Sequence, residues 1–343
     1  MNRSTVFLSA SAAAQRLGVS IKALRLYEQR GLVTPQRTAA GYRSYGPKEM
    51  ARAAEIAALR ALGLSLAQVS RVLEGDPRSL EPALAAHEAA LEGDIRRLVQ
   101  TIDRIRGIRA GLASGQVPAD GELARVLNPS ATSSVSFELP WPWGGERFEL
   151  NEIRPLNYII GPLGSGKTRL AMRLAEQLPD AAFLALDRVK EGNAAARLEA
   201  DMALKARVDR TLTWLVDEGA TKSEALIALL ASLEAEAPAV LVVDMVEQGL
   251  DQTTQEALIA LLRQRAKFGA RPLFLMTRSS AILDLAAIGP EESIIFCPAN
   301  HSPPSRVAPY PGSPGYEAVA TCVASPEVRA RTAGMIAWRS EAA

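Results

Sequence analysis

The residues in this sequence with the clearest chemical meaning are GPLGSGKT, which span 161–168. Glycines at this spacing let backbone N–H groups point at phosphate oxygens, and the N-terminus of a following helix adds a favourable dipole. The lysine of this motif reaches the β- and γ-phosphates, and the hydroxyl after it holds Mg²⁺. The pattern predicts a loop that binds ATP and Mg²⁺, formed by Gly161, Pro162, Leu163, Gly164, Ser165, Gly166, Lys167 and Thr168.

The residues on either side of this loop supply the elements that must position it. NYII precedes it as a short buried strand, and TRLAMRLAEQL follows it as a helix. A strand, this loop and a helix in direct succession distinguish a phosphate site from a glycine-rich turn. Further on, VLVVD is an apolar strand ending at Asp244, whose carboxylate would join Thr168 in holding Mg²⁺. The alternation of strands and helices predicts an α/β phosphate-loop domain with a mostly parallel sheet over residues 135–343.

The segment from residue 135 to about residue 300 resembles the ATPase domains of the ABC type and their soluble relatives. The likeness rests on GPLGSGKT, on VVDMVEQGLD and on a following strand that ends in MTRSS. The segment also departs from that family. Met245 stands where the family carries its catalytic glutamate, and Arg278 where it carries a histidine that contacts the γ-phosphate. ATKSEAL, without a glycine, stands in place of the signature loop.

These departures affect hydrolysis more than binding. Methionine offers only a weak sulfur acceptor, so it cannot deprotonate an attacking water. Glu247 is the candidate substitute, and the guanidinium of Arg278 suits the charge of a γ-phosphate. The sequence therefore predicts a site that is well equipped to bind MgATP and poorly equipped to hydrolyse it fast. Whether the protein acts as an enzyme stays open at this point.

Two further groups of residues are weaker candidates for the same domain. Trp141 and Trp143 lie in the predicted hairpin SVSFELPWPWGGERFEL and would either stack on adenine or pack within the hairpin. Cys297, His301 and Cys322 would form a metal or oxidant sensor, although their spacing matches no recognised site and Cys297 closes a buried strand. Two cysteines are too few for a disulfide framework, which favours a reducing compartment.

The first 75 residues form a separate, basic part of the chain. They hold 11 Lys and Arg against four Asp and Glu, whereas the remaining residues hold 28 against 34. SAAAQRLGVS and IKALRLYEQRGL predict two short helices around a GVS turn, with Ser20 capping the second. Such a second helix enters the major groove of DNA, and here it carries Lys22, Arg25 and Arg30, with Tyr27 as a hydroxyl donor.

The next stretch, VTPQRTAAGYRSYG, predicts a small β-wing because it combines Pro, Gly and paired aromatics. Arg37, Tyr42, Arg43 and Tyr45 suit contacts with backbone phosphates. Two amphipathic helices follow, KEMARAAEIAALRALG and SLAQVSRVLEG. The sequence therefore predicts a helix-dominated, winged helix-turn-helix domain over residues 1–75.

This ordered set resembles the DNA-binding domain of MerR-type transcription regulators, through GVS, RLYEQRGL, the spacing of Arg37 to YRSY, and LGLSL. The resemblance places Arg25 and Tyr27 on the recognition helix and gives Arg37, Tyr42, Arg43 and Tyr45 to the DNA backbone. It implies dimers on a pseudo-palindromic promoter, which they distort so that RNA polymerase engages both promoter elements. None of these implied properties follows from the residues alone.

Residues 76–114 predict a long helix with a coiled-coil seam. Leu84, Leu91, Leu98, Ile105 and Leu112 recur every seven residues, with Ile95 and Ile102 in the second seam position. The helix would pair with a second copy, as in MerR-type regulators, or pack on its own domain. Residues 115–134, rich in small and turn residues, predict a linker.

Together these parts predict a dimeric regulator in which a nucleotide-binding domain stands where MerR-type proteins carry their effector domain. One alternative is an active ATPase tethered to DNA by its first domain. Another is a scaffold that no longer uses nucleotide and senses a partner protein. The sequence shows no signal peptide and no apolar run of membrane-spanning length, so we expect a cytoplasmic, nucleoid-associated protein.

Overall fold

The protein was analysed as a computed structural model, which describes residues 7–115, 134–189, 193–268 and 271–324. The chain divides into two compact units: Met1–Asp103 with Trp214–Glu218, and Arg104–Thr213 with Gly219–Ala343. Nearly all of the predicted linker, residues 115–134, lies outside the described residues. Within the described ranges, no helix is both long enough and apolar enough to cross a membrane.

The first unit begins with a group of short helices, which we call the helical head. They are α1 Ala10–Leu17, α2 Ile21–Gln29, α3 Pro47–Ala61 and α4 Leu66–Leu73. The hydroxyl of Ser20 accepts the backbone N–H of Ala23 at 3.0 Å, which confirms the predicted cap of α2. Ser65 caps α4 in the same way through a complete capping box with Gln68. Between α1 and α2 the chain turns at Gly18, whose φ is 66°.

A two-stranded antiparallel hairpin follows α2 and forms the predicted wing. It consists of β1 Gln36–Arg37 and β2 Arg43–Ser44, with Arg37 opposite Arg43. An isolated bridge between Leu8 and Tyr45 connects the wing to the start of the head. The apolar faces of the helices enclose a core that includes Leu24, Tyr27, Tyr45, Ile56, Leu66 and Val69.

A single helix of 34 residues, α5 Leu80–Ala113, follows the head after a short 3-10 turn, Pro77–Ser79. The long helix predicted over residues 76–114 is therefore present. Its predicted seam residues are exposed in the single chain, at 37–61% of their surface: Leu84, Leu91, Ile95, Leu98, Ile102, Ile105 and Leu112.

The second unit is an α/β domain, as predicted. In the described part of the chain its main sheet has six strands in the order β10-β9-β5-β8-β7-β6. Strands β9, β5, β8, β7 and β6 are all parallel to their neighbours in this order, and β10 pairs antiparallel with β9. The strands are β5 Leu156–Ile160, β6 Ala181–Leu184, β7 Val240–Val243, β8 Leu273–Met276, β9 Glu292–Phe296 and β10 Ser305–Val307. Every residue of β5, β7 and β8 is buried, so both faces of the sheet are covered there.

The remaining elements of the second unit come before, between and after these strands in the sequence. A separate hairpin, β3 Val135–Glu138 with β4 Arg147–Leu150, confirms the predicted one. The helices are α6 Lys167–Gln177, α7 Asn193–Ala200, α8 Met202–Asp217, α9 Glu224–Leu233, α10 Gln252–Ala266 and α11 Tyr316–Val323. The end of α8, from Trp214 onward, belongs to the first unit. Short 3-10 turns lie at Leu186–Val189 and Leu285–Ala287.

One expectation about the proline-rich segment after β9 is wrong. The sequence predicts no regular structure in its first half, yet Ser305–Val307 pair with β9 as strand β10. The prolines at 303, 304 and 309 flank this strand rather than interrupt it. As the last strand in the sheet, β10 needs hydrogen bonds on one side only, which is where sheets tolerate nearby prolines.

Candidate functional site

The basic residues predicted on α2 lie on its exposed side. Lys22, Arg25 and Arg30 are all exposed, and the apolar Leu24 on the same helix is fully buried. Because α2 buries one stripe and projects cations from the other, it presents a positively charged surface suited to a polyanion.

Two of the three tyrosines predicted to contact DNA, Tyr27 and Tyr45, belong instead to the core of the head. Tyr27 is 4% exposed and Tyr45 is fully buried. Burial raises the pKa of both phenols, and the neighbouring Glu28 raises that of Tyr45 further. These rings hold the recognition helix and the wing against the core, and they leave the exposed surface to other side chains.

Glu28 is a residue that the sequence analysis missed. One carboxylate oxygen accepts a hydrogen bond from Tyr45 Oη and the other accepts one from Arg43 Nε. Arg43 is therefore partly neutralised and fixed beside α2. The exposed wing residues are Arg37, which donates to the carbonyl of Gly41 at 3.1 Å, and Tyr42, which is 74% exposed.

The phosphate loop of the second unit joins the carboxyl end of β5 to α6. Two of its glycines lie where a side chain would not fit. A Cβ at Gly161 would lie 2.3 Å from the carbonyl oxygen of Cys297. Gly166 has a φ of 88°, and a Cβ there would lie 2.5 Å from the ring of Trp143. The main chain can follow this path only with glycine at both positions, which keeps the loop amides free of side-chain obstruction.

Lys167 begins α6 and is 6% exposed. Its Nζ donates to the carbonyl oxygen of Pro162 within the loop at 2.6 Å. Burial lowers the pKa of this amine, and the nearby positive charge of Arg278 lowers it further. A phosphate would supply a negative partner for this buried ammonium. Thr168, the predicted Mg²⁺ ligand beside it, is exposed.

Asp244 follows the last residue of β7 and is 5% exposed. Burial raises the pKa of its carboxyl, and the charges of Arg188 and then Lys167 act in the opposite direction. Lys167 and Asp244, 77 positions apart in the sequence, thus lie close enough to influence each other. The parallel sheet brings them together because β5 and β7 both end at its carboxyl edge.

Arg188 is a second residue that the sequence analysis missed. It lies in the 3-10 turn after β6 and is 6% exposed. Its guanidinium donates to the carbonyl oxygens of Asp244 at 2.8 Å, Met245 at 2.9 Å and Val246 at 3.5 Å. Burial lowers its pKa, whereas Asp244 and Glu247 raise it. An arginine buried without such partners would cost several kcal/mol.

The candidate substitute for the missing catalytic glutamate lies at this same turn. Met245 has a φ of 40°, in the left-handed region that residues with a Cβ rarely adopt. Glu247 follows, and its Oε1 accepts the backbone N–H of Arg278 at 2.8 Å. Its second oxygen, Oε2, is buried and has no hydrogen-bond partner in the described part of the protein.

The two tryptophans of the hairpin segment have different environments. Trp143 is 4% exposed, packs against Gly166 and donates its Nε1–H to the carbonyl of Ser302 at 3.2 Å. Trp141 is 77% exposed. Of the two predicted adenine-stacking residues, Trp141 is therefore the one whose ring is open to a ligand.

The predicted metal or oxidant sensor finds no support in the structure. Among the described residues, no group of three or more His, Cys, Asp or Glu side chains is arranged to hold a metal ion. Cys297 is fully buried, and burial raises its thiol pKa to about 12. His301 instead lies against the phosphate loop, with Nε2 2.9 Å from the carbonyl oxygen of Gly164.

The residues present fit a nucleotide with Mg²⁺. Three buried polar atoms around the loop have no partner within the described residues: Ser165 Oγ, Arg188 Nε and Glu247 Oε2. Native structures hold few such atoms, since each costs about 1–3 kcal/mol. Lys167 would hold the phosphates, and the oxygens of Thr168 and Asp244 are of the kind that Mg²⁺ prefers.

Comparison with known proteins finds likenesses in the first part of the chain. The profile of the MerR HTH family of regulatory proteins matches residues 8–76. A probable heavy metal-dependent transcriptional regulator of Haemophilus influenzae is 32% identical over 106 residues, covering 29% of this chain and 83% of that protein. The nodulation protein NolA of Bradyrhizobium elkanii is 31% identical over 132 residues, covering 37% of this chain. The chain spans only 60% of that NolA protein and 48% of a second one.

Solved structures resemble each part of the chain separately. A MerR family regulator that lacks a sensor domain and is bound to promoter DNA aligns with 33% of this chain and 93% of its own, at 24% identity and a TM-score of 0.25. An ATP-binding cassette of an ABC transporter, in its ADP conformation, aligns with 60% of this chain and 100% of its own, at 14% identity and a TM-score of 0.37.

Proposed function

The chain belongs to the MerR family of helix-turn-helix regulatory proteins, and from that premise we propose that it is a dimeric transcription regulator. In this proposal the helical head and wing bind promoter DNA, and the second unit binds MgATP as a signal. Nucleotide binding changes how the paired heads bind or distort the promoter. The protein would act in the cytoplasm at the nucleoid, with RNA polymerase as a partner.

The charge and exposure of the head support DNA binding. Lys22 and Arg25 project from α2, and Arg37 and Tyr42 project from the wing, so two neighbouring elements offer cations and hydroxyl donors. A helix of this kind reads base edges in the major groove, while a wing contacts backbone phosphates. Arg43 and the buried tyrosines, Tyr27 and Tyr45, support this surface from behind.

The apolar seam of α5 supports pairing with a second copy. Its seven large apolar side chains repeat at heptad spacing and are about half exposed in the single chain. Burying one leucine fully is worth about 1.5–3 kcal/mol, so seven partly exposed ones on each copy provide a strong drive to associate. Two-fold pairing places two heads on one pseudo-palindrome.

One observation carries the proposal of nucleotide binding: the phosphate loop and Asp244 meet at the carboxyl edge of a parallel sheet, with buried polar atoms that have no partner in the described ranges. Gly161, Leu163, Gly164, Ser165 and Gly166 would contact phosphate through main-chain N–H groups, and Lys167 through its ammonium. Pro162 has no N–H, so it would shape the loop instead. Thr168 and Asp244 would hold Mg²⁺, which supplies positive charge next to the phosphates. Trp141 would stack on the adenine, and the guanidinium of Arg278, whose charge acts on Lys167, would face a γ-phosphate.

The coupling between the two activities must come from a difference in nucleotide affinity between two DNA-binding states. Such coupling is typically worth about 1–3 kcal/mol, which corresponds to a change in DNA affinity of about 5- to 150-fold. The sign of the change decides whether ATP favours or opposes promoter binding. By linkage, operator DNA must change the affinity for ATP by the same factor.

The test is calorimetry of ATP with Mg²⁺, on the full-length protein with and without a palindromic operator selected from random DNA. We expect wild type and the control Lys205→Ala, an exposed lysine on α8, to bind ATP with equal affinity. Lys167→Ala should bind at least about 100-fold more weakly, since it removes the one ammonium at the loop. Operator affinity should respond to ATP in wild type and control only.

The contrary outcomes are distinct. Wild type that fails to bind ATP would overturn the nucleotide-binding half of the proposal and leave the DNA-binding half intact. ATP binding that leaves both operator affinity and operator distortion unchanged would overturn the coupling alone. Distortion is measured by energy transfer between dyes at the two ends of the operator.

A second candidate function is an active ATPase tethered to DNA by the head. The buried Oε2 of Glu247 favours it, because a carboxylate oxygen with no hydrogen-bond partner among the described residues is suited to accept a proton from water. Steady-state turnover with and without operator distinguishes the two candidates. Rapid, operator-stimulated turnover that is lost in Glu247→Gln would support the tethered ATPase, and slow turnover would support the sensor.

A further inference from the structure

Arg188 and Arg271 make the same kind of contact at different places in the sheet. Each directs its guanidinium at three backbone carbonyls. Arg188 donates to those of Asp244, Met245 and Val246, after the carboxyl end of β7. Arg271 donates to those of Ser232, Leu233 and Pro238, and it lies just before β8 begins. Arg188 thus lies at the carboxyl end of the parallel strands, where the phosphate loop also begins, and Arg271 lies at their amino end.

The carbonyls held by Arg188 belong to a turn with a constrained backbone. Met245 adopts a φ of 40°, and its carbonyl also accepts the backbone N–H of Gln248 at 2.9 Å. The N–H of Val246 donates to the carbonyl of Met276 at 3.0 Å, which ties the turn to the end of β8. The left-handed residue is unfavourable by itself, so the turn depends on these outside contacts.

The turn determines where Glu247 lies. Its Oε1 is fixed by the N–H of Arg278, and its Oε2 is buried without a partner in the described residues. We propose that Arg188 is a positioning residue: by fixing the turn from Asp244 to Val246, it sets Glu247 rather than residue 245 as the carboxylate that accepts a proton during ATP hydrolysis. This inference rests on the proposed binding of MgATP to the loop and on its hydrolysis there, which is the second candidate function.

The reaction assigned to Glu247 is the hydrolysis of ATP by one water molecule. Glu247 Oε2 accepts a proton from a water molecule as the water oxygen forms a bond to the γ-phosphorus. The bond between that phosphorus and the β–γ bridging oxygen breaks, and its electron pair leaves with ADP. The products are ADP and inorganic phosphate, and Glu247 then releases its proton to solvent. Arg188 takes no part in bond making; it acts only through the backbone that carries Glu247.

The experiment compares Arg188→Gln with Arg271→Gln. Arg271→Gln is the matched control, because it also removes an arginine that binds three carbonyls, but one at the other end of the strands. The first readout uses protein without nucleotide: hydrogen exchange of the amides of residues 246–248. We expect these amides to exchange at least about 10-fold faster in Arg188→Gln than in wild type, because the turn loses its anchor. Arg271→Gln should leave these exchange rates unchanged, even if it lowers the melting temperature as much as Arg188→Gln does.

The second readout separates binding from chemistry on the full-length protein with Mg²⁺. Arg188→Gln should bind a non-hydrolysable ATP analogue within about 3-fold of wild type, while its single-turnover rate of ATP hydrolysis falls at least about 10-fold. Glu247→Gln should lose about 100-fold or more, as expected for removal of a general base. Arg188→Lys should recover part of the rate, since one ammonium replaces only part of the three-carbonyl contact.

The double variant provides the strictest outcome. If Arg188 acts through Glu247, adding Arg188→Gln to Glu247→Gln should slow hydrolysis no further. The inference is overturned by additive losses, by equal rate losses in the Arg188 and Arg271 variants, or by a wild type that binds ATP without turning it over. A wild type that does not bind ATP at all would instead overturn the proposed function on which the inference rests.

Discussion

The helical head and the phosphate loop present positive groups to an anion in opposite ways. The head extends Lys22, Arg25 and Arg37 outward on exposed side chains from a helix and a wing. The loop presents main-chain amides, and its one lysine, Lys167, is buried and bonded to a loop carbonyl. Side chains that reach into solvent adapt to a long, uneven surface such as DNA, whereas fixed amides suit one small group of known shape.

This difference predicts which kinds of substitution each region tolerates. In the head, truncating a side chain removes one contact and leaves the fold in place. In the loop, adding a single methyl group displaces the main chain that makes the contacts. Four substitutions test this contrast between the head and the loop, and one of them tests the α5 seam, on which binding as a pair depends.

The largest effect is expected from Gly161→Ala. The new methyl group would lie 2.3 Å from the Cys297 carbonyl and 2.6 Å from Ser165 Oγ, so the loop must move. We expect ATP binding to fall below detection in calorimetry. The control is Gly289→Ala, whose Cβ would meet nothing closer than 3.9 Å. Equal ATP affinity in both variants would mean that the loop geometry does not govern binding.

Leu98→Glu should produce the next largest effect, by placing a charge in the α5 seam. A buried, unpaired carboxylate on each copy should weaken the dimer by about 100-fold or more. Sedimentation should show monomers at micromolar concentration, with a matching loss of affinity for a palindromic operator. The control is Val99→Glu, at a neighbouring exposed position outside the seam, which should stay dimeric. A Leu98→Glu protein that remains a dimer would refute pairing through this seam.

Arg25→Ala should weaken operator binding by about 10- to 100-fold, the usual value of one base contact. Tyr27→Phe provides the contrast, since Tyr27 is buried and its hydroxyl lies in the core. We expect it to change operator affinity by less than about 3-fold. Fluorescence anisotropy at fixed salt measures both. A larger loss for Tyr27→Phe than for Arg25→Ala would restore the tyrosine as a direct DNA contact.

Trp141→Ala should have the smallest effect, a loss of about 5- to 10-fold in ATP affinity, within the range measured for stacking between a base and an aromatic ring. Inorganic triphosphate with Mg²⁺ should bind wild type and variant equally, because it has no base. If the variant loses affinity for triphosphate as well, Trp141 acts on the loop and not on adenine.

The sequence was most informative where function depends on contiguous residues. GPLGSGKT lies between a strand and a helix, as its spacing predicts, and the Ser20 cap and the wing are present where they were expected. Local patterns report on the backbone and on periodic burial, and these elements need nothing more. The parallel sheet followed from the same reasoning, because apolar strands alternate with helices.

The sequence was least informative where function depends on contacts between distant residues. Arg188 binds carbonyls 56 to 58 positions away, and a carbonyl has no residue type to recognise. Glu28 organises Arg43 and Tyr45 through a contact that no spacing rule predicts. A tyrosine at position 27 is compatible with either the core or the surface, because its ring is apolar and its hydroxyl is polar. Only the fold shows that Tyr27 is buried.

The packing of Trp143 has a spectroscopic consequence. Its indole lies against Gly166 with its N–H bonded to the Ser302 carbonyl, so it is shielded from water next to the phosphate loop. Shielded indoles emit at shorter wavelength than exposed ones, and Trp141 a few positions away is exposed. In a protein with four tryptophans, Trp141→Phe would make Trp143 easier to resolve. We therefore expect the emission of Trp143 to shift when the loop moves.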